Sequence, residues 1–170
     1  MYKKGLVRFL NVLIFFALLF LVYVIVYPSY KSIKRGNKVE DVKTNMYTLR
    51  VAVENFAAFN GGKLPLSFSE CKNYVDNGML PVNPYTLEPM TDDEIIDHRY
   101  ADPVAYEDDK PDGVNSKLRG DPGSIFYCTY RSPGDSTLVT HYAFIGLNEE
   151  GKPIIYIDPG KRKHIFILHD

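Results

Sequence analysis

An uncharged run from Phe9 to Tyr30 lies almost at the start of the chain and restricts the folds that the chain can adopt. The only strongly polar side chain in its deep part is Asn11. A bilayer core about 30 Å thick needs roughly 20 apolar residues in a helix, so the run is long enough to span it. A cleaved secretory signal would end in small residues, whereas this run ends in Tyr27-Pro28-Ser29-Tyr30. We therefore expect residues 1–30 to form a short flank and a transmembrane helix.

The orientation of this expected anchor follows from charge and composition. Basic residues lie on both flanks of the run, so the positive-inside rule does not distinguish the two orientations. Beyond Gly36 the chain carries all 21 acidic residues but only 14 of the 20 basic ones, and it is rich in Tyr, Gly, Pro and Asn. This composition favours an N-in orientation, in which residues 31–170 form one extracytoplasmic domain.

The same charge distribution argues against nucleic acid as a partner. Phosphate binding requires clustered Lys and Arg side chains. The one basic run outside the anchor flanks is Lys161-Arg162-Lys163, which lies in a predicted tight turn between strands. We interpret this run as a solvated turn.

A helical pattern continues beyond the anchor through residues 31–60. Its apolar residues are spaced alternately three and four apart, which places them on one helix face: Val39, Val42, Met46, Leu49, Val53 and Phe56. Asn60-Gly61-Gly62 and then Pro65 predict the end of the helix. The apolar face could be a coiled-coil seam, but packing on the chain's own domain is favoured because a globular domain needs that face.

The remainder of the chain divides into a loop-rich segment, 61–123, and a strand-rich segment, 124–170. Four predicted strands are separated by turn sequences: 124–130, 137–146, 152–157 and 163–168. Short connections of this kind predict an antiparallel β meander of about four strands. The predicted fold is therefore α+β, with a long N-terminal helix whose membrane-spanning first half leads into an amphipathic second half packed on this sheet.

Two cysteines, Cys71 and Cys128, lie far apart in the sequence. In an oxidising compartment they could form a disulfide closing a long loop, which would contribute about 3–4 kcal/mol in the chain-entropy model. The alternative is two reduced, partly buried thiols. The even count and the expected extracytoplasmic location favour the disulfide.

Three segments in order resemble the type IV pilin and type II secretion pseudopilin superfamily. The first is Lys3-Lys4-Gly5 with the apolar helix and Pro28; the second is the helix end, Glu54 to Pro65; the third is the loop Gly78-Met-Leu-Pro-Val-Asn-Pro-Tyr-Thr86. Together they span about half the chain. The resemblance implies a pilin-like fold and a non-enzymatic structural subunit of a type II secretion or type IV pilus-like assembly in a bacterial inner membrane.

The same resemblance implies partners and site residues. The partners would be membrane lipid and other pilin-like subunits or secretion-system proteins. Cleavage by a prepilin peptidase would fall between Gly5 and Leu6, with an ordinary cytoplasmic flank as the alternative. Asn11 lies near the position of the family's glutamate, and Pro28 near its helix-bending proline, so both are candidates for helix packing in the membrane.

One departure from the family pattern leaves a second function open. The family carries a glutamate at the fifth mature position, which is thought to pair with a neighbouring N-terminal ammonium group, and this span contains no acid. Asn11 cannot neutralise an ammonium charge in lipid. The alternative is a non-polymerising single-pass protein whose pilin-like outer domain binds a ligand or partner. An anchored hydrolase is a third hypothesis.

Few residues point to metal or catalytic chemistry. The acidic segment from Glu88 to Asp121 could bind calcium, and Asp108 to Gly113 resembles the start of an EF-hand loop. That motif fails because Lys110 and Arg119 occupy its third and twelfth positions. The four histidines lack metal-ligand spacing, and no hydrolase motif is present. We predict no cofactor, no metal site and no catalytic residues.

Overall fold

The computed structural model of the protein describes residues 2–102 and 105–170, without the side chains of residues 2–12, 25–33, 35, 77 and 106. The helices are α1 (Tyr2–Phe59) and α2 (Phe68–Cys71). The strands are β1 (Ile95–Tyr100), β2 (Ile125–Arg131), β3 (Val139–Gly146), β4 (Ile155–Ile157), β5 (Lys163–Ile165) and β6 (Ile167–His169). Short 3₁₀ turns cover 72–74, 76–78, 92–94, 105–107 and 115–117.

The chain divides into two compact units, residues 1–37 and 38–170, and the boundary between them lies inside α1. Helix α1 ends where the sequence predicts. Gly61 and Gly62 adopt positive φ angles of 67° and 84°, and the Gly62 amide donates to the Ala57 carbonyl at 2.8 Å. Glycine adopts this left-handed conformation at little steric cost, which is why it closes the helix.

The predicted membrane span is corrected by the structure. Within the residues with described side chains, no helix combines the length and hydropathy needed to cross a membrane. On this finding, the predictions of a transmembrane first half of the helix and of a single-pass inner-membrane location are wrong.

The predicted antiparallel meander is also wrong. The main sheet has the order β1-β2-β3-β6 and is mixed, because β1 runs parallel to β2 while the other pairs are antiparallel. Strands β4 and β5 form a separate two-stranded ribbon. The last predicted strand is divided at Phe166: β5 pairs with β4, and β6 pairs with β3. One segment therefore serves two sheets, which a simple meander does not allow.

Strand β1 lies inside the segment that was predicted to be loop. Its sequence carries charged residues at Asp97 and Arg99. A capping box between Thr91 and Glu94 does start a 3₁₀ turn, but the chain then extends. Only the end residues of the strand, Ile95 and Tyr100, are fully buried. This edge position tolerates polar residues and weakens the strand pattern.

Packing of the second part of α1 on its own domain, rather than as a coiled-coil seam, is confirmed. Val42, Met46, Leu49 and Val53 are completely buried and contact the strand residues Ile125, Tyr127, Tyr142 and Phe144. A Cβ atom at Gly146 would lie only 2.6 Å from Val42 Cγ1 and 2.9 Å from Met46 Sδ, so glycine permits this close approach. The opposite sheet face carries a smaller cluster that includes Phe126, Cys128 and Ile145.

Candidate functional site

The described part of unit 1–37 presents an apolar surface along α1. Its large side chains between 13 and 24 are all exposed, from 49% at Ile14 to 68% at Phe20. They occupy almost consecutive positions, so at 3.6 residues per turn they lie on every face of the helix. A helix that is apolar on all faces is normally buried among other elements. This segment, residues 13–24, is the candidate interaction surface.

The absence of charged side chains in this segment restricts it to binding through apolar contacts. No charged residue occurs between Arg8 and Lys31. Association would therefore depend on removing apolar area from water, which contributes about 25 cal/mol per Å². One partner helix covers only one stripe of its neighbour, so several neighbours would be needed to cover every face.

The structure does not describe the side chains of the residues that the sequence predicted to act in processing and helix packing. The predicted processing position at Gly5 and Leu6, and the predicted packing residues Asn11 and Pro28, lie outside the residues with described side chains. These assignments therefore remain predictions.

Both cysteines are free and buried. Cys71 belongs to the cluster beneath α1, whereas Cys128 belongs to the cluster on the other sheet face. Side chains alternate across a strand, so Cys128 points away from the face that its neighbour Tyr127 shares with Cys71. Burial raises the pKa of each thiol to about 12. The disulfide that the sequence favoured is not formed in this structure.

A buried polar cluster connects Cys128 to the segment that follows β1. The Tyr100 hydroxyl donates to Asn115 Oδ1 and contacts Cys128 Sγ at 3.4 Å. Asn115 Nδ2 in turn donates to the carbonyls of Ala105 and Asp108, each at 2.9 Å. Burial is the main cause that raises the pKa of Tyr100. The cluster fixes the loop to the sheet.

A second cluster, missed from the sequence, brings His164 between two carboxylates. Its Nδ1 lies 2.8 Å from Asp109 Oδ2, and its Nε2 lies 3.5 Å from Asp158 Oδ2. Arg162 also binds Asp158, with Nε at 3.1 Å and the backbone amide at 2.8 Å. Since both ring nitrogens face carboxylates, neither remains to activate a nucleophile. The cluster ties the 105–114 segment to the β4–β5 ribbon.

The acidic segment that was considered for calcium binding uses the Asp108 carboxylate for its own backbone. Asp108 Oδ2 accepts the Val114 amide at 2.8 Å, and Oδ1 accepts the Lys110 amide at 3.4 Å. An adjacent cavity of about 370 Å³ is lined partly by Asp102, Glu107 and Asp109. Among the described residues, no group of three or more His, Cys, Asp or Glu side chains is arranged to hold a metal ion.

Asn83 is a further residue that sequence reasoning did not single out, although it lies in the third pilin-like segment. It is completely buried, and Nδ2 donates to Glu94 Oε1 at 2.6 Å and to the Pro122 carbonyl at 3.0 Å. Its Oδ1 accepts the Tyr85 amide at 2.9 Å. Nearby, Asn45 of α1 donates to the Val82 carbonyl at 2.8 Å. The Asn83 bonds hold the 81–90 loop to Glu94 and Pro122, and the Asn45 bond holds the same loop to α1.

Comparisons with known proteins leave the family of the chain open. No protein-family model matches the sequence, and no curated protein or solved structure matches it significantly. The specific prediction of a pseudopilin of a secretion system is thus without support and is not carried further. The more general prediction, a subunit that acts through protein contacts, depends on the geometry above.

Proposed function

We propose that this protein is a non-catalytic structural subunit that assembles with other protein chains through the apolar helical segment 13–24. The observation that carries the proposal is the exposure of large apolar side chains on every face of that segment. Isolated exposed apolar residues are ordinary on protein surfaces, but a continuous apolar surface marks an interaction site. Packing against helices of neighbouring chains would cover it.

The unit 38–170 supports this role by its construction. Its buried apolar residues form two clusters on the two faces of the sheet, and the buried side chains of Asn83 and Asn115 donate to backbone carbonyls. The His164 cluster lacks a free ring nitrogen for catalysis. We infer that this unit supplies a stable surface for contacts between subunits.

A charge substitution with a matched control tests the proposal. Leu18→Glu places a carboxylate in the segment, and Val114→Glu places one in the other unit at similar exposure, 58% against 51%. Light scattering of the full chain should show an assembly that Leu18→Glu reduces to monomers and that Val114→Glu leaves intact. A monomeric wild-type chain, or association only with lipid vesicles, would contradict the proposal.

A further inference from the structure

The outer edge of β4 is shaped for pairing with another strand. In the β4–β5 ribbon, the Phe166 amide donates to the Ile154 carbonyl at 2.8 Å, and the Asp158 amide donates to the Arg162 carbonyl at 3.0 Å. Hydrogen-bonding direction alternates along an antiparallel strand. Since residues 154 and 158 bond towards the β5 side, the amide and carbonyl groups of Ile155 and Ile157 point to the opposite edge.

The corresponding edge of β5 is already closed, because the Ile165 amide donates to the Asp109 carbonyl at 2.6 Å. The edge of β4 is different. In the described ranges 2–102 and 105–170, no strand pairs with it, and all three of its side chains are exposed: Ile155 by 49%, Tyr156 by 39% and Ile157 by 64%. Unpaired strand edges of this kind are templates for strand addition.

The sequence of this edge is complementary to itself. In an antiparallel pair with a second copy centred on Tyr156, Ile155 of each copy lies opposite Ile157 of the other. Because these are the two residues whose backbone groups point outward, each pair can exchange both of its hydrogen bonds. Their side chains then stack as apolar cross-strand pairs on one face, and the two tyrosines meet on the other.

Charge selects the antiparallel arrangement. The turn before β4 carries Glu149, Glu150 and Lys152 and is net negative. The turn after it carries Asp158, Lys161 and Arg162 and is net positive. An antiparallel pair brings the acidic turn of one copy beside the basic turn of the other, whereas a parallel pair brings like charges together. Pro153 and Pro159 lie on either side of the strand and cannot donate to an extended ladder, so pairing stops at this short segment.

We propose that β4 is a dimerisation edge, at which the β4 strands of two copies of this chain pair antiparallel about Tyr156 and join two ribbons into one four-stranded sheet. A two-fold contact of this kind is self-complementary and closes on itself. It is distinct from the contact through 13–24 and does not depend on it. The two contacts together would let one subunit meet neighbours at two places.

A cysteine cross-link in the full-length chain tests the register. Residues at the centre of such a pair have Cα atoms about 4.5 Å apart, which a disulfide can bridge. Tyr156→Cys should therefore give a covalent dimer under mild oxidation. Lys163→Cys is the matched control, since this exposed β5 residue lies one strand further from the two-fold axis. The wild-type chain should not react because Cys71 and Cys128 are buried.

Further variants separate a specific pair from chance encounters. Adding Ile157→Lys to Tyr156→Cys should reduce the dimer to the level of the Lys163→Cys control. Glu150→Lys should lower the yield of cross-linked dimer several-fold, and Lys161→Glu in the same chain should restore it.

The cross-link should persist when Leu18→Glu prevents assembly through 13–24, so the two proposals can fail separately. An equal yield from Tyr156→Cys and Lys163→Cys, or cross-linking only to other proteins, would overturn the proposal.

Discussion

Residues 13–24 and residues 42–53 belong to the same helix, α1, but their apolar side chains are in opposite environments. In the first stretch, Leu18 is 58% exposed, and its apolar neighbours are similar. In the second, Leu49 is completely buried beneath the sheet. Residue type alone does not separate these cases, since leucine occurs in both.

The pattern of polar residues accounts for this difference. In the second stretch the apolar positions repeat every three or four residues, and charged residues occupy the other face, where Arg50 Nε pairs with Glu54 Oε1 at 2.7 Å. One face can then be covered by one sheet. In the first stretch no polar face remains, so one sheet cannot cover it. The comparison supports the proposal that segment 13–24 packs against neighbouring chains.

The largest expected effect comes from making the same substitution in both stretches. Leu49→Ala should lower the free energy of unfolding of unit 38–170 by about 2–5 kcal/mol because it leaves a cavity in the core. Leu18→Ala should change that quantity by less than about 0.5 kcal/mol. Denaturant unfolding followed by circular dichroism measures both. Equal effects would remove the distinction between the two stretches.

A smaller effect tests how the 81–90 loop is held to the rest of unit 38–170. Asn83→Ala removes three side-chain hydrogen bonds at a fully buried position, and we expect a loss of about 2–4 kcal/mol in unfolding free energy. Asn45→Ala, the matched control on the helix, removes one bond and should cost about 0.5–1.5 kcal/mol. If Asn83→Ala cost no more than Asn45→Ala, the loop would not be anchored at Asn83.

The sheet face away from α1 should show a modest dependence on pH. Burial lowers the pKa of His98, whose ring contacts Tyr100 and Phe126 edge-on. A histidine with a lowered folded-state pKa resists protonation, so stability is lost as pH falls from the unfolded value, 6.5, towards the folded one. His98→Phe should flatten this part of the stability curve. Parallel curves for the two proteins between pH 6.5 and 5 would contradict the assignment.

The smallest expected effect is no change at all. Because Cys71 and Cys128 are free thiols in separate clusters, a reducing agent should leave the unfolding free energy of the native protein unaltered. A thiol reagent should modify both only after unfolding. A loss of about 3–4 kcal/mol on reduction would instead indicate the disulfide that the sequence favoured.

Local signals in the sequence were sufficient for several features. The three-four spacing identified the buried face of α1, and Asn60-Gly61-Gly62 identified its end, because both depend on residues close together in the chain. The strand-rich character of 124–170 was also predicted. Charged residues in β1 concealed that strand, and nothing local distinguished β5 from β6.

The candidate sites also divide into features that the sequence predicted and features that depend on tertiary contacts. The apolar segment was evident from the sequence alone, although its interpretation as a membrane span was wrong. The hydrogen bonds of Asn83 to Pro122, of Tyr100 to Asn115 and of His164 to Asp109 join residues far apart in the chain. No periodicity or motif reports such contacts, because they exist only after the loops have packed.

By itself, the sequence determined the apolar segment, the amphipathic face of α1 and the strand-rich end of the chain. These properties follow from hydrophobic periodicity and turn residues within short windows. Only the tertiary structure decided the parallel pairing of β1 with β2, the separation of the two cysteines and the open edge of β4. The reason is physical: strand partners and sheet faces are set by non-local contacts, which compete for the same backbone groups and the same core.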